Sequence, residues 1–246
     1  MKYKAISFDL MGTLVICDDY AAQLEEWMEE MRRILITFGL TCQQQSFNER
    51  ALHHFSSESL PPSSLNSRLT IYERRLLGLC QDFGINVSLD DLQEIILGLT
   101  AVWYRHFSMA HDCEKVLRRL SEEFVLHLVT NYDHPPFIHQ LLKKLGIRVF
   151  FNSIVISGEC GCQKPDPRIF ESILRVFSAE DIIHVGDSDD DVKGALAAGI
   201  RPILLRRPAE IKESPRVFTA PKVSAMENVT VIRSLSELIP LLKEAV

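Results

Sequence analysis

Regular alternation of helical and strand-like segments, from Cys113 to the end of the chain, most constrains how this sequence can fold. Four short apolar runs each follow or precede a segment with helical spacing, at residues 125–129, 153–156, 182–185 and 202–205. Such alternation is typical of a parallel sheet with helices on both faces. The apolar start at residues 3–8 fits a further strand of the same sheet. The pattern therefore predicts an α/β fold with a Rossmann-like parallel sheet.

The hydrophobic period between about residues 18 and 110 is helical instead. Apolar residues recur there at steps of three and four, and we expect a helix carrying Leu24 to Phe38. A second helix is predicted to follow Pro61-Pro62-Ser63-Ser64 and to end at Gly84. A third is predicted to begin at Ser88, with Asp91 as its capping-box partner. We therefore expect a core domain of residues 1–15 and 111–246, interrupted by an inserted helical domain of residues 16–110.

Composition excludes several kinds of partner. A net charge of −6 over 246 residues gives no basic field for nucleic acid, and no Lys/Arg-rich run suggests binding to an anionic membrane surface. The apolar runs are shorter than the roughly 20 residues of a membrane span, and the N-terminus lacks a secretory signal, so we expect a cytoplasmic protein. The six cysteines lack paired zinc-site spacing and are interpreted as small buried thiols. A monomer and a homodimer both remain open.

Polar side chains follow the predicted strands of the sheet. Asp9 follows the first strand, Thr130-Asn131 ends the second, Lys164 lies in the loop after the third, and the acidic run 186–191 (GDSDDD) follows the fourth. The carboxyl ends of parallel strands meet at one edge of a sheet, where ligands bind. A carboxylate nucleophile, a lysine, hydroxyl and amide donors, and carboxylates for a hard cation are the groups that phosphoryl transfer requires.

These four motifs, in this order, resemble the haloacid dehalogenase (HAD) superfamily, in its large phosphatase branch with a helical cap inserted after the first motif. The resemblance implies that Asp9 attacks phosphorus and forms an aspartyl-phosphate. It also implies that Thr130 and Asn131 hold the phosphoryl group, and that Lys164 contacts both the nucleophile and the transferring oxygens. The substrate would be a small phosphorylated metabolite.

The same resemblance implies a Mg²⁺ cofactor. Its ligands would be Asp9, Asp187, Asp191 and the backbone carbonyl of Met11. Asp190 is a possible assistant of Asp191, whereas Asp189 is interpreted as a cap of the following helix, where negative charge is favourable.

Met11 departs from the family's pattern, since its position usually carries a second Asp that protonates the leaving group and later activates water. General acid or base help contributes roughly 10²- to 10⁴-fold. Without this general acid, we expect the protein to act on substrates whose leaving groups need little protonation, such as acyl phosphates, phosphoanhydrides and aryl esters. Another acid is the alternative: Asp18, Asp19 and His134 are candidates by position, although the two aspartates also fit helix caps and His134 also fits a Pro-rich turn.

Two other functions are compatible with a methionine at position 11. A haloacid dehalogenase needs no leaving-group acid, but the acidic run would repel an anionic substrate unless a cation neutralised it. A non-catalytic or regulatory protein that keeps the fold is the third possibility.

The helical insertion is expected to set substrate choice by closing over the site. Arg68 and Arg75 share a helical face with Tyr72 and either meet an anionic substrate or form a solvated face. Trp27 and Trp103 are interpreted as core residues, and His184 as a buried strand residue. Residues 206–227 are interpreted as a surface excursion.

Overall fold

The computed structural model describes residues 3–56, 68–207 and 229–244. Eight strands lie in these ranges: β1 (Ala5–Phe8), β2 (Val15–Cys17), β3 (Phe107–Met109), β4 (Val125–Thr130), β5 (Ser153–Ile156), β6 (Ile182–Gly186), β7 (Arg201–Leu205) and β8 (Thr230–Ile232). The α-helices are α1 (Tyr20–Thr37), α2 (Gln44–Phe55), α3 (Ile71–Asp82), α4 (Leu89–His106), α5 (Cys113–Leu120), α6 (Pro135–Lys144), α7 (Ser157–Cys160), α8 (Glu171–Leu174), α9 (Asp189–Ala197) and α10 (Leu238–Glu244).

Six strands form a single sheet in the order β5-β4-β1-β6-β7-β8, and every neighbouring pair is parallel. β1 is central: Phe8 lies opposite Leu128 of β4 and Val185 of β6. All residues of β1 and β6 are buried. Parallel strands that are covered on both faces have nearly continuous apolar sequences, which is why these strands could be recognised from the sequence. The predicted α/β fold with a parallel sheet is confirmed.

The chain divides into two compact units. Within the described ranges, the first unit holds residues 3–17, 108–207 and 229–244, and the second holds residues 18–56 and 68–107. The first unit contains the parallel sheet and the second contains α1 to α4. That the second unit acts as a cap remains a prediction.

The helices of the second unit have their own hydrophobic core. Trp27 and Trp103 stack with ring centroids 6.1 Å apart, and the Trp27 indole donates to the hydroxyl of Tyr72 at 3.1 Å. Trp27 is 4% exposed, which confirms its interpretation as a core residue. The predicted capping box of Ser88 and Asp91 begins α4.

Two features of this unit differ from the sequence-based expectation. α2 was missed because its buried residues are only Phe47 and Ala51, too few to reveal a helical period. α3 begins after Thr70, whose side chain and that of Glu73 form a capping box; the expected earlier start at Pro61-Pro62-Ser63-Ser64 lies outside the described residues.

Arg75 has a structural role rather than the exposed one proposed for it. Its side chain is buried, and its guanidinium donates to the carbonyl oxygens of His54 (2.9 Å) and Ser56 (2.5 Å) at the end of α2. These carbonyls have no partner further along their own helix, so the guanidinium serves as a C-terminal cap.

No described helix combines the length and the apolar character needed to cross a membrane.

Candidate active site

Asp9 lies one residue beyond β1, at the carboxyl edge of the sheet. Its backbone N–H donates to Val185 O of β6 at 2.9 Å, which extends the sheet pairing by one residue and holds the side chain between β4 and β6. The side chain is buried, with the residue 6% exposed. Burial raises the pKa of Asp9, although Lys164 opposes that shift.

Lys164 connects two buried carboxylates. Its Nζ donates to Asp9 Oδ1 at 2.6 Å, to Asp191 Oδ1 at 2.5 Å and to the carbonyl of Val129 at 3.0 Å. These contacts use all three ammonium hydrogens. Burial disfavours the charged amine, but the carboxylates of Asp191 and Asp9 outweigh it and raise the pKa of Lys164. The lysine is therefore a fixed positive charge beside the expected nucleophile.

Thr130 and Asn131 lie at the end of β4, as predicted, but the amide of Asn131 has a clear structural partner. Asn131 Nδ2 donates to Lys164 O at 3.0 Å, and Lys164 N donates to Asn131 Oδ1 at 2.8 Å. This reciprocal pair of hydrogen bonds fixes the backbone of Lys164 to the residue that follows β4. Thr130 is buried, with 1% exposed. That either residue binds a phosphoryl group remains a prediction.

The turn after Asp9 brings a glycine against the acidic run. Gly12 has φ +83°, and a Cβ built there would lie 2.3 Å from Asp187 Oδ2. Thr13 Oγ1 donates to Asp187 Oδ1 at 3.1 Å. Met11 is half-buried and pairs with Val15 in an isolated bridge. Only glycine fits position 12, because it tolerates positive φ and leaves room for the carboxylate.

Asp191 is the most heavily hydrogen-bonded carboxylate of the acidic run. Its Oδ1 accepts from Lys164 Nζ and from His184 Nε2 (3.0 Å), and its Oδ2 accepts from the backbone N–H (3.0 Å) and the hydroxyl (2.5 Å) of Ser188. Burial would raise the pKa of Asp191, but Lys164 and His184 outweigh it and hold the pKa well below its usual range. Asp191 is thus ionised and also forms the capping box that begins α9.

His184 is buried in β6, as expected, and links the site to the strand beside it. Because its Nε2 faces the ionised Asp191, that nitrogen carries the hydrogen, and Nδ1 lies 2.9 Å from Ser7 Oγ. The ring of Phe170 packs edge-on against the imidazole at 5.0 Å between centroids. His184 therefore orients the Asp191 carboxylate through a hydrogen bond from β6.

Asp9, Asp187 and Asp191 form a cluster of the kind that holds a cation. One ligand oxygen from each lies within 4.8 Å of the others. Burial, followed by the charges of Asp9 and Asp191, raises the pKa of Asp187 to about 7. Carboxylate oxygens are the ligands that Mg²⁺ and Ca²⁺ prefer, and a divalent ion would relieve this repulsion. The residues fit a hard cation.

The other carboxylates of the acidic run differ in position. Asp190 is exposed, and Asp189 lies in the first turn of α9, 3.6 Å from Lys193. The N-cap of α9 is Ser188, so the interpretation of Asp189 as the cap is wrong, although its negative charge in the first turn is favourable. That Asp190 assists Asp191 remains a prediction.

Arg206 and Arg207 hold the loops that follow β1 and β6. This differs from the expectation that they begin a surface excursion. Arg206 donates to Asp187 O at 2.5 Å, and Arg207 donates to Gly12 O and, at 2.6 Å, to Thr13 O. Their position directly after β7, at the same sheet edge as Asp9, was the available signal. The rest of that excursion lies outside the described residues.

The three candidate substitutes for the missing acid are placed as follows. Asp19 caps α1, accepting from Ala22 N at 3.0 Å, which confirms the capping interpretation. Asp18 is exposed and belongs to the second unit. His134 is buried at the residue before α6.

The known proteins that this chain resembles in sequence include haloacid dehalogenase-like proteins and phosphatases. The chain is 31% identical over 120 residues to bovine haloacid dehalogenase-like hydrolase domain-containing protein 3, covering 48% of this chain and 44% of that protein. It is 42% identical over 69 residues to the glyceraldehyde 3-phosphate phosphatase of Methanopyrus kandleri, covering 27% of this chain and 30% of that enzyme. The matches thus span less than half the length of these curated relatives.

Solved structures agree over nearly the whole chain. A HAD phosphatase from Thermococcus onnurineus superimposes with a TM-score of 0.63 at 21% identity, covering 97% of each chain. YfnB from Bacillus subtilis, bound to magnesium, superimposes with a TM-score of 0.57 at 20% identity, covering 98% and 99%. At such identities the likeness shows the fold alone. The family model for haloacid dehalogenase-like hydrolases, however, matches residues 3–199, and the chain therefore belongs to the haloacid dehalogenase-like hydrolase family.

Proposed function

We propose that this protein is a Mg²⁺-dependent phosphohydrolase that transfers a phosphoryl group from a small phosphorylated compound to Asp9 and then to water. The observation that carries the proposal is the cluster of Asp9, Asp187 and Asp191 at the carboxyl edge of the sheet, two of which, Asp9 and Asp191, are buried and paired with Lys164. Relatives named as phosphatases and a magnesium-bound structural neighbour support it.

Asp9 is the group that we assign to attack phosphorus. Lys164 holds Oδ1, so Oδ2 is the oxygen proposed to form the new bond to phosphorus as the bond to the leaving oxygen breaks. The positive Lys164 favours the ionised nucleophile and opposes the negative charge of the phosphoryl oxygens. Attack by water on phosphorus then releases phosphate and regenerates the Asp9 carboxylate.

The side chains of Asp9 and Asp187, with the backbone carbonyl of Met11, are proposed to hold the cation. Asp191 belongs to the same cluster, but both of its oxygens already accept two hydrogen bonds, so we assign it chiefly to positioning Lys164. When bound, Mg²⁺ would neutralise charge on the carboxylates and on the phosphoryl oxygens. The backbone contacts of Arg206 and Arg207 keep the two ligand-bearing loops together.

Met11 limits the substrates that we propose. A thioether has no proton to give the leaving oxygen, so turnover should be best with acyl phosphates, phosphoanhydrides or aryl phosphates. These leave as weak bases and gain little from a general acid.

The acidic cluster weighs against the dehalogenase alternative. Three clustered carboxylates beside one lysine would repel a haloacid's own carboxylate, and a reaction that releases halide has no use for a cation site. The non-catalytic alternative predicts instead that the protein hydrolyses no phosphorylated substrate.

The proposal is tested by hydrolysis of p-nitrophenyl phosphate and acetyl phosphate with Mg²⁺ and with EDTA. We expect turnover of both substrates by the wild type, its loss with EDTA, and its loss in Asp9→Asn. Asp190→Asn is the matched control, since it removes an exposed carboxylate of the same acidic run. A wild type that hydrolyses neither substrate would support the non-catalytic reading, and activity unchanged by EDTA would exclude the cation.

A further inference from the structure

Cys160 and Cys162 lie side by side on the loop that leads to Lys164. Their sulfur atoms are 3.3 Å apart, which is van der Waals contact, and Cys160 Sγ is 3.1 Å from the carbonyl of Cys162. Gly161 between them is left-handed, with φ +74°, and ends α7. In an extended backbone the residues i and i+2 share a face but lie roughly 6.6 Å apart, and this turn brings their two sulfur atoms closer together.

The other cysteines lie in different surroundings. Cys17, Cys80 and Cys113 are buried, and burial raises the thiol pKa of Cys80 and of Cys113 to about 12. Cys42 is half-buried against the hydrophobic core of the second unit. Cys160 is the exposed cysteine of the six. The expectation that all six are small buried thiols is therefore wrong for Cys160, which is exposed, and for Cys42 and Cys162, which are half-buried.

The loop bearing the pair is fastened at both ends to the residues that follow β4. Before the pair, Ser157 Oγ accepts from Tyr132 N at 2.9 Å. After it, Lys164 exchanges two hydrogen bonds with Asn131. The two sulfurs thus belong to a short segment with fixed ends, so they stay close together.

We propose that Cys160 and Cys162 form a dithiol site that is reversibly oxidised by low-molecular-weight disulfides such as oxidised glutathione. Cys160, being exposed, attacks one sulfur of the small disulfide, which forms a mixed disulfide and releases one small thiol. Cys162 then attacks the Cys160 sulfur, which closes the intramolecular disulfide and releases a second small thiol. The protein loses two hydrogens and two electrons, and both pass to the two thiols released.

The order of attack follows from the difference between the two thiols. Burial, with the neighbouring Cys160, raises the pKa of Cys162 to about 11. A small disulfide in solution reaches Cys160 more easily, and the thiolate is the attacking form. Cys162 needs only to reach a sulfur that is already in contact with it, which compensates for its small thiolate fraction.

Oxidised glutathione tests the proposal on the full-length protein, followed by alkylation of free thiols and peptide mass mapping. We expect the wild type to lose two alkylatable thiols and to yield one peptide bearing both Cys160 and Cys162 with two hydrogens missing. Cys162→Ser should instead accumulate glutathione on Cys160. Cys160→Ser should react at least about tenfold more slowly. Dithiothreitol should reverse each modification.

Cys42→Ser is the matched control and should behave as the wild type. Circular dichroism of each variant establishes that it is folded, and the wild-type mapping needs no variant. The proposal is overturned if folded wild type keeps all six thiols under excess oxidised glutathione, or if the disulfide joins other cysteines. Failure of Cys162→Ser to hold glutathione on Cys160 would overturn the order of attack. None of these readouts depends on phosphatase turnover.

Discussion

The backbone of Gly12 lies against the carboxylate of Asp187, so closely that a Cβ atom at position 12 would be 2.3 Å from Asp187 Oδ2. Gly12, which lies in the turn after Asp9, therefore has two physical functions. It adopts φ +83°, and it lets the loop after β1 touch the loop after β6. The proposed cation ligands, which come from these two loops, can approach each other only because position 12 has no side chain.

Gly12→Ala tests this contact. The left-handed backbone should cost about 1–3 kcal/mol of unfolding free energy, and displacement of Asp187 should also abolish the Mg²⁺-induced rise in melting temperature. Gly146→Ala is the control, since Gly146 has φ +72° and nothing within 4 Å of a built Cβ. Urea unfolding and thermal melts with Mg²⁺ measure both effects. Equal losses in the two variants, with the Mg²⁺ response retained in Gly12→Ala, would contradict the role of the contact.

The parallel sheet could be predicted because its signal is local and strong. Buried strands such as β6 are mostly apolar, and each strand end carries a distinctive polar residue. The helix α2 could not be predicted, because Phe47 and Ala51 alone mark its buried face. Its C-terminal cap comes from Arg75, on the next helix of the chain. Such a contact depends on tertiary packing, which local periodicity does not report.

Residue types in the site were predicted better than residue contacts. Asp9, Asp187 and Asp191 were expected together and lie together. The sequence could place Arg207 at this edge of the sheet, but it could not reveal that Arg207 donates to the Gly12 turn or that Asn131 holds the backbone of Lys164. Both contacts join segments far apart in the chain, and neither residue belongs to a periodic pattern.

Lys164→Met should destabilise the protein strongly. It leaves Asp9 and Asp191 buried without their shared cation, and breaking a buried pair costs about 3–5 kcal/mol. Adding Asp191→Asn should recover part of that loss, because one unpaired charge is removed, so the two substitutions should not be additive. Urea unfolding at pH 7 measures the cycle. Lys4→Met is the control: that lysine is exposed and its pair with Asp181 should contribute no more than about 1 kcal/mol.

Arg207→Lys should weaken the site while conserving charge. A lysine cannot reproduce the fork that donates to the carbonyls of both Gly12 and Thr13. Losing one charge-assisted hydrogen bond of about 1.5–3 kcal/mol should lower kcat roughly tenfold or more and should reduce the Mg²⁺-induced rise in melting temperature. Arg201→Lys, whose partners are Tyr3 and Thr230, serves as the control. Unchanged kcat and Mg²⁺ response in Arg207→Lys would show that the brace is dispensable.

The raised pKa of Asp187, about 7 against an ordinary value of 3.8, predicts a specific pH dependence. The folded state holds this proton more tightly than the unfolded state, so without divalent cation the contribution of Asp187 to stability is lost as pH rises towards 7. Mg²⁺ requires the ionised carboxylate, so its stabilising effect should be larger at pH 8 than at pH 5.5. Asp187→Asn should remove both dependences. Thermal melts with Mg²⁺ or EDTA across this range measure them, and a pH-independent Mg²⁺ effect would refute the assignment.

Met11→Asp should supply a proton that the thioether of Met11 cannot give. Cleavage of an alkyl phosphate such as glycerol phosphate depends on protonating a basic leaving oxygen, so kcat should rise by up to about 10²- to 10⁴-fold. With p-nitrophenyl phosphate, whose leaving group needs no proton, the rise should be much smaller. Met11→Asn is the matched control, because it has the same shape without an acidic proton and keeps the backbone carbonyl. If Met11→Asn accelerates alkyl phosphate cleavage as much as Met11→Asp, the gain comes from size or polarity. The missing proton would then not be what restricts the substrates of this site.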